Sequence, residues 1–430
     1  LHAIRVKHRQ SAACAGRGID MMARIDLLLA MLLSPASVAP ETLGALEDGD
    51  WTWIATCAKD HRLRPLLAYH AAAHEWPVPA PLMEDWRANR RRWGFTHLRQ
   101  QAFLRQMAAV LEESAMDFVV LKGGTLAEMA YQEPALRPRR DLDLLVPTDR
   151  ALEAQALLEG IGCAAPAWAR GDGLEDRHHL APLVAPGGGF AIEVHHTLAP
   201  PDWDGARVLA DLLIATSQPM AVGDRAVPGS APLPLMLSVV AHGTLHHLFD
   251  NGPLLLADMA RLIERLPPDW AEFEEWCGRL GLERSAALVL ALVERHAKIA
   301  LPQLDLLRTH RPPPALLDHA GLLVTQDMAS REQRRYRAAV ARGTGLAAAA
   351  KRALVPDPRT LALRAGTGID DIRRWKAYPA WLGEKGRGYL QARAAPRHHG
   401  EALRRSIECA PGGAAGSWCA QSGDRSHAAS

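Results

Sequence analysis

Apolar residues recur at helical spacing from Ile25 to about Met107. Segments such as Trp51-Thr52-Trp53-Ile54-Ala55 and Leu63-Arg64-Pro65-Leu66-Leu67 alternate with polar residues as short packed helices do, and Leu98 to Glu113 forms a longer amphipathic stretch. The period then changes. Phe118-Val119-Val120-Leu121 is a short, β-rich apolar run, Lys122-Gly123-Gly124-Thr125 a glycine turn, and Leu126 to Tyr131 is again helical, which predicts strand, turn and helix in that order. A further strand is predicted at Asp141-Leu142-Asp143-Leu144-Leu145-Val146 and a helix over Asp149 to Gly160. His179 to Ala185 and Phe190 to His196, joined by Pro186-Gly187-Gly188-Gly189, read as a hairpin.

Two carboxylates interrupt the second of these strands. Residues i and i+2 of a strand share a face, so Asp141 and Asp143 point the same way from a rigid element. Hard cations of the Mg²⁺ type are held by one or two carboxylates together with substrate phosphates, which makes metal-assisted phosphoryl or nucleotidyl transfer the leading idea. In the later hairpin Glu193 and His195 share one face while Ile192 and Val194 share the other, so a third carboxylate is available on a strand able to lie beside the first.

Composition narrows the field. The chain of 430 residues is 48% apolar, enough for two or three domains with a sizeable core. A net charge of only +2 makes no general claim on nucleic acid or membrane. The six cysteines include no Cys-x-x-Cys pair, which argues against a zinc ribbon or a disulfide framework and fits ordinary thiols in a reducing cytosol. The basic start followed by Leu27 to Leu33 has the outline of a signal peptide, but Arg24 and Asp26 interrupt it and the apolar core is short. A first helix of a cytoplasmic protein is the expectation, with residues 1–20 as a disordered leader. No stretch reaches the roughly 18 consecutive apolar residues of a membrane span.

Leu121-Lys122-Gly123-Gly124, Tyr131, Leu136-Arg137-Pro138, the Asp141-Leu142-Asp143-Leu144-Leu145-Val146-Pro147 run and Ile192-Glu193-Val194-His195 together resemble a bacterial family of uncharacterised nucleotidyltransferases in the DNA polymerase β-like superfamily. The resemblance extends to Leu63-Arg64-Pro65-Leu66-Leu67, to Ala241-His242-Gly243-Thr244-Leu245-His246-His247 and to Leu254 to Leu262, covering roughly residues 25 to 300, with weaker similarity to about residue 395. It implies an α+β fold in which a small mixed β-sheet nucleotidyltransferase core, residues 108–200, is flanked by helical lobes at 21–107 and 201–309. It also implies transfer of a nucleoside monophosphate from an NTP with Mg²⁺ or Mn²⁺. The superfamily's metal-binding carboxylates fall on Asp141, Asp143 and Glu193, and its glycine turn on Gly123 and Gly124. Thr125 stands where serine often follows, the gap to the aspartates is longer than in many members, and the third carboxylate is glutamate.

Those residue types suit the chemistry. In a two-metal site cations roughly 3.5–4 Å apart stabilise the attacking and leaving oxygens of an in-line displacement, so carboxylates must bridge them from a fixed scaffold. The glycines allow close approach of a polyphosphate to backbone N–H groups and a helix N-terminus, and Lys122, Thr125 and Arg137 are candidates to contact it. Arg139 and Arg140 read as a solvated charge run.

His242 and His246, spaced i, i+4 with His247 adjacent, invite a zinc reading, yet the Glu of a His-Glu-x-x-His motif is missing. They read instead as hydrogen-bonding within a helical interface or lining the substrate side of the cleft, with His195 as a site neighbour. Residues 310–405 form an arginine-rich helical region, with Arg331 to Arg337 read as a solvated helix face, and 406–430 a disordered tail. The expected acceptor is a hydroxyl, amine or phosphate on a small molecule or peptide. Two rivals stand beside this expectation: an inactive nucleotide-binding protein, and a toxin-like enzyme acting on RNA.

Overall fold

The computed structural model describes residues 18–166, 178–199, 203–327, 358–368 and 371–383. Helix α1 (Met21–Leu33) starts where Asp20 accepts a hydrogen bond from the backbone N–H of Ala23 at 2.9 Å. Leu28, Leu29, Leu32 and Leu33 are buried in the core, so the run that outlines a signal peptide is a packed helix. Next come α2 (Pro40–Gly44), α3 (Asp48–Asp60), α4 (Arg64–Ala73) and the long α5 (Ala80–Glu113). The segment β1 (Val119–Val120), α6 (Lys122–Met129), β2 (Asp141–Leu145), α7 (Ala151–Gly160), β3 (Leu183–Val184) and β4 (Ala191–His195) follows the strand and helix order read from the sequence. Beyond it lie α8 (Gly205–Ala215), β5 (Gln218–Val222), β6 (Arg225–Gly229), α9 (Pro232–Ala241), a π-helical turn (His242–His246), α10 (Leu254–Arg265), α11 (Trp270–Leu280), α12 (Glu283–Ala297), α13 (Asp305–Thr309) and α14 (Pro314–Val324).

The strands form one mixed sheet in the order β3-β4-β2-β1-β6-β5, giving the α+β class. β2 and β4 run parallel with Asp141 opposite Ala191, Leu142 opposite Ile192 and Asp143 opposite Glu193. β1 is antiparallel to β2 and parallel to β6. Leu142, Leu144, Ile192 and Val194 bury one face of this pair against Phe103, Leu104 and Met107 of α5 and Leu158 of α7. The acidic side chains occupy the opposite face, as period-2 alternation requires.

The helices before and after the sheet share one core, in which Leu28 and Leu32 of α1 join Leu288 and Leu292 of α12 and Leu256 of α10. Helix α5 joins this core through Trp86 and the sheet's core through Phe103 to Leu111. It starts at Ala80, well before Leu98, and runs straight through the expected boundary at residue 107.

A second difference is the β5–β6 hairpin inside the stretch 201–309 read as wholly helical. Met220, Val222 and Val227 alternate buried with exposed neighbours, and the Gly223-Asp224 turn has Gly223 at φ +64°. This two-residue turn is an ordinary hairpin signal that short flanking strands leave inconspicuous. The run Arg331 to Arg337 and the tail beyond 405 lie outside the described residues.

A buried ionic junction ties the sheet's approach to the helices. Arg137 donates two charge-assisted bonds to Asp258 on α10, at 2.9 and 2.7 Å, and the Tyr131 hydroxyl donates to the same carboxylate at 2.7 Å. Removing one partner strands the other charge, so Asp258→Ala is expected to destabilise the protein by about 3 kcal/mol in chemical denaturation. Asp258→Asn is expected to cost less, because the amide oxygen still accepts one bond. Equal stability of wild type and Asp258→Ala would mean that the junction contributes nothing to folding.

Candidate active site

The parallel register of β2 and β4 sets the carboxylates beside one another. Ligand atoms of Asp143, Glu193 and His195 lie within 4.8 Å of one another. Asp141 sits one pleat before Asp143 on the same face, half-buried like Asp143 and Glu193.

An ammonium and an imidazole partly balance this charge. The Lys122 ammonium is 3.9 Å from Asp143 Oδ2, and His195 Nε2 donates to Asp143 Oδ1 at 3.0 Å while standing 3.6 Å from Glu193. Burial pushes the Asp143 carboxyl up, yet Lys122 and the hydrogen bond and charge of His195 outweigh it and hold Asp143 below the usual carboxylate range. Asp141 moves the other way. Burial first, then the charges of Asp143 and Glu193, raise it, and Lys122 and Arg62 do not offset them. Negative charge therefore remains incompletely balanced at a set of hard oxygen donors, and that donor set fits a divalent cation of the Mg²⁺ or Mn²⁺ type.

Lys122 reaches this cluster from a strained position. Its φ is +41°, in the left-handed region that side chains other than glycine seldom occupy, at the turn where β1 passes into α6.

The other residues of the glycine turn have structural partners. The Gly124 N–H donates to the Leu121 carbonyl at 3.0 Å, and a Cβ at Gly124 would lie 2.4 Å from Val120 Cγ1. Gly124 thus lets α6 pack tightly on β1. Thr125 is fully buried, and its hydroxyl donates to the Val120 carbonyl at 2.5 Å and accepts from Ser230 N–H at 3.3 Å, so it is engaged by the backbone of β1 and of the chain after β6. A Cβ at Gly123 would meet Arg137 Nη1 at 3.2 Å, so the Arg137 guanidinium flanks the turn while its charge is engaged by Asp258.

Arg139 corrects the reading of a solvated charge run. It is buried, donates to the carbonyls of Gly123 at 3.3 Å and Gly124 at 3.1 Å, and pairs with Glu128 at 3.2 Å and Gln100 at 2.9 Å. Burial is tolerated because nearly every donor finds an acceptor. Arg140 next to it is exposed.

Histidines stand on the other side of the carboxylates. His179 lies opposite His195 in an isolated bridge, 4.0 Å from Glu193. The His178 ring stands 5.4 Å from that of His195 and 5.2 Å from that of His246 on the π turn. Burial, the charge of Lys122 and the neighbouring imidazoles hold His242 well below the ordinary histidine range, and burial with the nearby histidines takes His178 down to about 2. Both are neutral at pH 7. The sequence reading missed His178, His179 and the arginine partners Glu128 and Gln100. A signal for the first two exists, since His179, preceded by His178, opens the arm of the hairpin whose other arm ends in His195-His196.

The model of a family described as uncharacterised nucleotidyltransferase matches residues 47–298, which include every side chain of this cluster and more than half of the chain. The chain belongs to that family. Comparison with curated proteins gives no match. A crystal structure of ANT(2'')-Ia in complex with adenylyl-2''-tobramycin aligns over 43% of this chain and 97% of its own, at 12% identity and a TM-score of 0.31. A solution structure of the antibiotic-resistance factor ANT(2'')-Ia aligns over 44% and 94%, at the same identity and TM-score. A likeness this weak carries no weight for activity or substrate. Within this nucleotidyltransferase, no described helix is long and apolar enough to cross a membrane.

The contact at Gly124 generates a test. Gly124→Ala forces a methyl against the buried Val120, so unfolding should become easier by about 1–3 kcal/mol, as overpacked cores do. Val120→Ala in the same chain should recover part of that loss. Additive losses in the double variant would show that the two side chains do not compete for space.

Proposed function

We propose that the protein transfers a nucleoside monophosphate from an NTP to an acceptor, with Asp141, Asp143 and Glu193 as the carboxylates that hold Mg²⁺ or Mn²⁺. The observation that carries this reading is the register of β2 with β4, which sets Asp143 directly opposite Glu193 with Asp141 on the same face. The same reading takes residues 108–200 as the transferase core and the helices on either side as its supports.

A divalent cation bound there supplies stabilisation of the charge that develops on the attacking and leaving oxygens. The chain's own residues prepare that place. His195 fixes the orientation of Asp143 through its Nε2–H, and the parallel strands keep Asp143 and Glu193 side by side without loop motion. Lys122 is the cation poised for the triphosphate, because its ammonium lies against the carboxylates in ion-pair distance of Asp143 and is free of any rigid bidentate partner. Arg137 acts at one remove. Its charge is held by Asp258 and Tyr131, so it braces Gly123 and the approach to β2.

We assign the acceptor to the small-molecule or peptide class, reacting through a hydroxyl, amine or phosphate. In support, the net charge is only +2, and the arginines beside the site, Arg137 and Arg139, are neutralised by Asp258 and Glu128. A polyanionic acceptor such as RNA calls for uncompensated positive charge around the reacting group.

Asp141→Asn and Asp143→Asn keep shape and remove charge. Each is expected to lower Mn²⁺-dependent binding of a non-hydrolysable NTP analogue, measured by calorimetry, and to cut label transfer from an α-labelled NTP on the order of 100-fold or more. Glu193→Gln is expected to follow them. Unchanged transfer by both aspartate variants would sink the assignment, whereas tight binding by wild type with no pyrophosphate release would favour an inactive nucleotide-binding protein.

A further inference from the structure

The stretch His242-Gly243-Thr244-Leu245-His246-His247 leaves α geometry. It forms a π turn over His242–His246, closed by the His247 N–H donating to the His242 carbonyl at 3.0 Å. A bond from i+5 back to i sets residue i+5 one turn above residue i, where an α-helix would have carried it off to the side. His246 and His247 therefore both stand over His242. The His242 and His247 rings are 4.3 Å apart, His246 and His247 4.3 Å, and His242 and His246 5.4 Å, with one ring nitrogen of each lying within 4.8 Å of the others.

The fold holds this turn open. Gly243 packs so closely on α10 that a Cβ would lie 2.6 Å from Leu255 Cδ2, and the Thr244 hydroxyl donates back to the Val240 carbonyl at 2.7 Å. Directly after His247, Leu248 and Phe249 take φ values of +47° and +64°, and the fully buried Phe249 donates its N–H to the Gly243 carbonyl at 2.8 Å. Widened turns and left-handed residues other than glycine are both uncommon and gather at functional sites.

We propose that His242, His246 and His247 bind Zn²⁺, at a site separate from the carboxylates of β2 and β4. Three imidazoles suit a borderline-soft cation, whereas a carboxylate cluster suits Mg²⁺ or Mn²⁺, so the two sites sort cations by ligand chemistry. Three protein ligands leave a fourth position for water, the arrangement of reactive rather than closed structural zinc sites. His246 is exposed, which gives the cation a path from solvent. The His178 ring, 5.2 Å from His246 and 5.4 Å from His195, stands between the two clusters, so the zinc would lie one imidazole away from the carboxylate site. This inference rests on the π turn and does not depend on nucleotidyl transfer.

The test uses the full chain stripped of metal and titrated with Zn²⁺ by calorimetry in excess Mg²⁺, and with Co²⁺ by visible absorption. Wild type is expected to bind Zn²⁺ and to give the intense bands of four-coordinate, nitrogen-ligated Co²⁺. His246→Gln and the double variant His246→Gln/His247→Gln should weaken Zn²⁺ by more than the roughly 10- to 100-fold that loss of an outer-shell partner costs. Asp143→Asn and Glu193→Gln should retain it. Because His246 is exposed, its single variant tests ligation without touching the core, and circular dichroism of the metal-free proteins checks the fold. The proposal is overturned by absence of Zn²⁺ binding in wild type, by weak octahedral Co²⁺ bands, by unchanged affinity in His246→Gln, or by loss of zinc only in the carboxylate variants.

Discussion

In the β2–β4 ladder Asp143 lies opposite Glu193 and Leu144 opposite Val194, so a slip of one residue would exchange the acidic and the apolar face. Like charges on neighbouring strands oppose this register, at roughly 0.2–1 kcal/mol for each pair. Burial of Leu142, Leu144, Ile192 and Val194 favours it, at roughly 1.5–3 kcal/mol for each side chain. The apolar term wins by a wide margin. The carboxylate cluster is thus imposed by the packing of the opposite face on α5 and α7, and its repulsion is softened locally by Lys122 and His195.

Arginines fix the chain between α6 and β2, where the one regular element is a short 3-10 turn at Pro134–Leu136. Arg139 closes on the Gly123 and Gly124 carbonyls from inside the protein, and Arg137 spans from the glycine turn to Asp258 on α10. A buried guanidinium needs acceptors on several sides, so each arginine specifies the mutual position of elements far apart in the chain. The same pairing leaves Lys122, with its single point charge and strained backbone, as the cation beside the carboxylates.

Much of the site was legible because strand periodicity is local. The alternation in Asp141 to Leu145 and in Ala191 to His195 is enough to separate charged from apolar positions, and the triple glycine after Pro186 announces the hairpin. The Lys122-Gly123-Gly124-Thr125 stretch, read from the sequence as a turn, is instead the first turn of α6, because the glycines let the helix begin directly on β1. The need for Gly124 comes from Val120 and that for Thr125 from Ser230, contacts that spacing along the chain does not encode. The β5–β6 hairpin escaped notice because its strands are short and sit between strongly helical segments.

The sequence by itself therefore determined the α+β character, the order of strand and helix around Lys122 and the acidic positions Asp141, Asp143 and Glu193 as candidates for metal chemistry. Only the tertiary structure decided that Asp143 and Glu193 stand in register, that Arg139 is buried and Arg140 exposed, that α1 and α12 share one core, and that a π turn gathers three histidines. The dividing line is physical. Periodicity and turn chemistry act between residues a few positions apart, whereas register, ion-pair partners and a widened helical turn are settled by packing against segments tens to hundreds of residues away.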